Sequence, residues 1–169
     1  MRVILKIIDS ISEWAGSSAR YLVLALVLLG MYDVILRYVL HASTVWVYQT
    51  TIMVGGGTYA FSWAYNRLHK SHVRVDIFYT HFSLRKRALS DVICAAIFFF
   101  PLMVILMKFS VCAAWDAWVT HEVMTESFWY PPSWPFRTVI ALGVCLLFLQ
   151  GSAQFVRDFY FAVRGKPYD

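Results

Sequence analysis

Charge is scarce in this sequence. Of its 169 residues 15% are Asp, Glu, Lys or Arg and 60% are apolar, and the mean hydropathy is +0.59. Soluble domains are nearer a quarter charged and half apolar. That shortage argues against a soluble domain, and the apolar excess is surface for lipid or for another membrane chain. Paired cysteines are missing too. Cys94, Cys112 and Cys145 sit in or near apolar runs without CxxC spacing, which argues against a thiol relay and reads them as small buried hydrophobes. Gly55, Gly56 and Gly57 are not followed by Lys-Ser or Lys-Thr, so there is no phosphate cradle. Histidine is missing from the middle of the apolar runs, where a haem-binding bundle would need axial ligands. His41, His69, His72, His81 and His121 all fall at helix ends or in loops. His69, His72 and His81 resemble a metal cluster, yet no carboxylate or thiol completes a ligand spacing and the setting is cationic, which argues against zinc. Neither cofactor nor metal is expected.

What is present is organised around one polar stretch, Arg67 to Asp91. It holds Arg67, Lys70, Arg74, Arg85, Lys86 and Arg87, six of the fifteen Lys and Arg residues, between long apolar runs. The formal net charge of +5 therefore belongs to membrane orientation rather than to nucleic acid, because short cationic loops stay on the cytoplasmic side.

Around that loop the chain reads as an all-α integral membrane protein with four transmembrane helices and a single membrane domain over residues 1–169. Met1 to Ser17 places Ile4, Ile7, Ile8, Ile11 and Trp14 at helical steps, with Arg2, Lys6, Asp9 and Glu13 between them. This predicts an amphipathic helix lying in the membrane interface, with no cleavable leader. The spans are expected at about 17–40, 43–68, 85–118 and 136–163. In the first, the charge-free part from Tyr21 to Tyr32 is shorter than the roughly 20 residues a bilayer core requires. The span must therefore include Asp33 and Arg37, one helical turn apart and suited to a structural ion pair. In the second, Gly56, Ala60 and Ala64 repeat every four residues, a spacing that brings helix backbones together. Glycines in a helix interior cost about 1 kcal/mol each relative to Ala, so Gly55 to Gly57 argue for tight protein contact. A second short interfacial helix is expected over His72 to Phe82. Pro101 should kink the third span. Gln150 and Gln154 in the fourth need partners within protein, since an unpaired amide in hydrocarbon is costly. The Lys and Arg residues divide twelve to three between the two sides, which places both termini in the cytoplasm.

From the residues alone this is a four-helix membrane protein without a reaction centre, one part of a larger complex. A membrane electron-transfer subunit and an autonomous small transporter remain as alternatives. The ordered set Leu36-Arg37-Tyr38-Val39, then Trp46, the Gly-Gly-Gly-Thr-Tyr-Ala segment, and His72-Val73-Arg74-Val75-Asp76 resembles the small, Q-type (DctQ-like) membrane subunit of tripartite ATP-independent periplasmic (TRAP) transporters. One departure is Gln49, where the family commonly has Glu three residues after the Trp.

The resemblance implies a bacterial inner-membrane location and two partners. A periplasmic binding protein captures an organic anion, and a large membrane subunit carries it by a sodium-driven, elevator-like motion. The small subunit would be a non-catalytic brace. Trp46, Gln49, Gly56, Ala60, Ala64, His72 and Asp76 are the candidate contacts with the large subunit, and the connection from Glu122 to Trp134 is a candidate contact with the binding protein.

Overall fold

The structure, a computed structural model, describes residues 2–42, 44–69, 84–126 and 128–164, with backbone only for 2 and 84–87. The expected helix over His72 to Phe82, and the contacts assigned to His72 and Asp76, lie outside the described residues. Among the described residues five helices occur in order: α1 (Arg2–Tyr38), α2 (Val45–Leu68), α3 (Leu84–Cys94), α4 (Phe100–Thr120) and α5 (Trp134–Arg164). A π-helical turn, Ala95–Phe99, joins α3 to α4 into one rod. Among the described residues three helical stretches are long and apolar enough to cross a membrane: Val3–Tyr38, Ala88–Thr120 and Trp134–Arg164.

Three features stand out against the sequence reading, each for a physical reason: one helix boundary, the geometry at Pro101 and the exposure of two cysteines. The interfacial helix and the first span are one uninterrupted helix of 37 residues, about 55 Å long at 1.5 Å per residue. Gly16, the one helix breaker between them, is held in helix because the Tyr65 ring packs directly on it. The face turned into the bundle is the small and polar one, with Leu5, Ser12, Ala15 and Ala19 buried, while Val3, Ile4, Ile7, Ile11 and Trp14 stay exposed. At Pro101 the helix answers the missing N–H with its π turn, where the Phe100 N–H reaches back five residues to the Ala95 carbonyl. Such a bulge inserts one residue without ending the helix. Finally, Cys94 and Cys112 are exposed rather than buried, on a rod whose outward face also carries Phe98, Ile105 and Phe109. A small apolar thiol is as much at home against lipid as in a core.

The core is made of small side chains. Ala60, Ala64 and Ala117 are fully buried, with Ala15, Ala153 and Val47 nearly so. Small residues let backbones approach closely, the main source of helix association where lipid is as apolar as Leu. The antiparallel α1–α2 pair is set by Tyr65 on Gly16, by the Tyr32 and Trp46 rings 5.8 Å apart, and by Thr44 donating to Asp33. Between α2 and α5, Phe136 covers Gly56, and Ala60 packs into the space beside Gly143. Between α4 and α5, the Trp118 and Trp134 rings lie 4.4 Å apart and Trp118 Nε1 donates to Thr138 Oγ1 at 3.1 Å.

Candidate functional site

The polar groups of this apolar bundle gather at its two ends. At the end where α2 finishes, Asp9 of α1 accepts from Arg157 of α5 through both oxygens, at 2.5 and 3.3 Å, and from Gln150 Nε2 at 3.0 Å. Ser12 Oγ donates back to Gln150 Oε1 at 2.9 Å, and both residues are buried. Gln154 Nε2 donates to Asp158 at 3.0 Å. Both glutamines thus find the protein partners the sequence reading called for. The half-buried Asp9 carboxylate, facing a guanidinium and an amide, has few lone pairs unmet, the condition under which a pair drawn out of water is tolerated. Nearby, Arg67 of α2 lies over the Phe99 ring at 4.7 Å, and that ring presses on Gly151 of α5. The π turn therefore aims Phe99 between two other helices, where its face meets a cation. His69 lies 3.2 Å from Glu13, and its ring centre is 4.3 Å from that of Tyr65 in a tilted contact.

At the opposite end, Arg37 donates to Asp33 at 2.8 Å, and Thr44 donates to the other Asp33 oxygen. Residues 121–126 and 128–133 run side by side as the two arms of a short hairpin. Met124 N–H donates to the Pro131 carbonyl at 2.8 Å, Ser133 N–H to that of Glu122 at 2.9 Å, and Arg137 pairs with Glu122 at 2.5 Å. Met124 then reaches α2, where its sulfur accepts from Gln49 Nε2.

These placements change the contact set expected from the sequence. Gln49, Ala60 and Ala64 are wholly buried inside the chain, and Gly56 faces Phe136. The small-residue face of α2 is filled by the chain's own α5, because the backbone approach it permits is the one that closes this bundle. Trp46 remains 40% exposed. Gln49 sits where a carboxylate would be buried against a thioether, and its Oε1 finds no partner among the described residues. An amide costs less to bury there than a charge.

The outward apolar surface is shared by α1 and the α3–α4 rod. Val27, Met31, Val34 and Ile35 are exposed or half-exposed, and with Gly30 they line a shallow groove of about 470 Å³. Nothing lies within 4 Å of a Cβ placed on Gly30. Sequence reasoning passed over this glycine, since it stands alone in a uniformly apolar run. The Asp9–Arg157 link escaped it too, the partners being 148 residues apart.

A helical bundle with three membrane-crossing stretches, charges paired at its ends and a broad apolar outer surface is an integral membrane protein. Comparison with protein families takes this further. Residues 26–160 match the family described as Tripartite ATP-independent periplasmic transporters, DctQ component, and the chain belongs to that family, the small component of TRAP transporters. Comparisons with curated proteins and with solved structures found no match.

Proposed function

We propose that this chain is the non-catalytic brace of a sodium-driven TRAP transporter that imports an organic acid anion. In this reading it sits in the bacterial inner membrane with four spans and both termini in the cytoplasm. It holds the stationary part of a large elevator-type subunit, which receives its cargo from a periplasmic binding protein.

The observation that carries the reading is the family match over residues 26–160. The placement of the charges supports it. An ion-coupled carrier needs an ionisable residue deep in its spans, whereas the ion pairs Asp9–Arg157, Asp33–Arg37 and Glu122–Arg137 lie at the ends of this bundle.

Taking α2 as the fourth span rests on its self-contained polarity. Thr50, Thr51, Thr58 and Ser62 each donate to the carbonyl four residues back, at 2.8 Å. Hydroxyls satisfied in this way cost little in hydrocarbon, so a helix of 24 residues, about 36 Å long, can cross despite its composition. An even number of spans then agrees with the twelve-to-three division of cations. Because α5 fills the small-residue face of α2, the large subunit is assigned to the α1 groove around Gly30, with Trp46 at its end.

Reconstitution in liposomes tests the role. Uptake under an inward sodium gradient is expected from large subunit, binding protein and this chain together. It should fall on the order of tenfold or more without this chain, the loss of about 1.4 kcal/mol of assembly, and be absent with this chain alone. Transport by this chain alone, or undiminished transport without it, contradicts the proposal.

A further inference from the structure

The end of the bundle holding the hairpin carries a cleft that neither the helix packing nor the bracing role uses. Its volume is about 680 Å³, and Arg37, His41, Tyr48, Glu126, Phe128 and Tyr130 line it. That is within the size range of sites for small molecules and headgroups. Its walls come from three places: the end of α1, the start of α2, and the hairpin. His41 and Tyr130 hold φ of 50° and 49°, a left-handed backbone that non-glycine residues adopt uncommonly.

The charges limit what the cleft can hold. Arg37 donates one N–H group to Asp33 and remains 60% exposed, so its other donors are open at the cleft wall. Asp33 already balances the guanidinium, and Glu126 adds a further negative charge. Arg37, Asp33 and Glu126 together sum to one negative charge, which disfavours a purely anionic guest. A purely cationic guest would leave the Arg37 donors unanswered. Tyr48, Phe128 and Tyr130 are 60%, 88% and 52% exposed and offer ring faces on which an ammonium group is stabilised. A guest carrying a phosphate and an ammonium one short linker apart answers all three.

We propose that this cleft seats a phosphoethanolamine group. Its phosphate lies against Arg37 and its ammonium between Glu126 and the aromatic rings. The depth fits a phospholipid headgroup, since Tyr38 ends α1 and Val45 begins α2 beside it, and aromatic residues favour the headgroup level. The recognition chemistry does not depend on the transport role. The same group could arrive on a lipid or as a soluble zwitterion.

Native mass spectrometry of the full chain in its co-purified membrane complex tests this. Phosphatidylethanolamine and phosphatidylglycerol with identical acyl chains compete for binding to wild type and to Glu126→Gln, an exposed position that does not disturb packing. Wild type should prefer phosphatidylethanolamine by about fivefold, and Glu126→Gln should reduce the preference to under about twofold. Tyr48→Ala should weaken retention of the same lipid. Displacement by soluble phosphoethanolamine assigns the guest to a free zwitterion, and failure to displace assigns it to the bilayer. Equal binding of the two lipids by wild type, or an unchanged ratio in Glu126→Gln, overturns the proposal.

Discussion

Gly143→Leu is expected to prevent the chain from accumulating as a folded protein. A Cβ on Gly143 would lie 2.6 Å from the Ala60 Cβ and 2.8 Å from the Ala60 carbonyl oxygen. Real side chains do not approach so closely, and the obstacle is backbone, which cannot rotate away. Relief requires α2 and α5 to separate, and the Phe136 contact on Gly56 would be lost with it. Overpacking of this kind costs about 3 kcal/mol, a large part of a typical domain's stability. Gly57→Ala is the control, since its nearest neighbour would be Val139 Cγ1 at 3.5 Å, an ordinary contact. Monodispersity and thermal midpoint in detergent read the result. Gly143→Leu should give aggregate, or a midpoint far below wild type, while Gly57→Ala should match or exceed wild type. A Gly143→Leu chain with wild-type stability would show the α2–α5 contact to be misplaced.

Gly30→Leu is expected to do the reverse, sparing the chain and breaking the complex. Among the described residues nothing lies within 4 Å of a Cβ placed there, and replacing a helix-interior glycine by a strong helix former adds up to about 1 kcal/mol of stability. If the α1 groove receives a helix of the large subunit, the same side chain fills the space that helix needs. Recovery of the large subunit on a tagged small subunit should then fall on the order of tenfold or more, with the midpoint of the isolated chain unchanged or raised. Unchanged recovery would move the docking face away from Gly30. The contrast with Gly143 separates a glycine that closes the bundle from one open to a partner.

Both glycines stand in apolar runs, and only the structure distinguishes them. Spacing alone made Gly56, Ala60 and Ala64 a close-contact face, and they are one. It could not say whose helix lies opposite, because an intramolecular and an intermolecular partner demand the same small residues. The need of Gln150 and Gln154 for protein partners was legible, since buried amides must be satisfied. Ser12 and Asp9 as the partners of Gln150 were not, because the first four turns of α1 read equally well as a separate interfacial helix. Asp33 and Arg37 were legible as neighbours one turn apart, whereas Thr44, which completes their cluster, comes from the next helix. The cleft was invisible for the same reason, its walls being brought together from α1, α2 and the hairpin. Charge placement in the sequence predicts four spans. Length and hydropathy alone support three, with α2 hiding its polarity in bonds to its own backbone.

The bracing role is tested most directly by tying this chain to its neighbour. With Cys94, Cys112 and Cys145 replaced by serine, Gly30→Cys can be cross-linked to a cysteine on the facing helix of the large subunit in the assembled transporter. A brace stands still, so the cross-linked complex should retain transport within about twofold of the uncross-linked one. Loss of transport on cross-linking, recovered when the link is reduced, would place this face against a part that moves and would contradict the account.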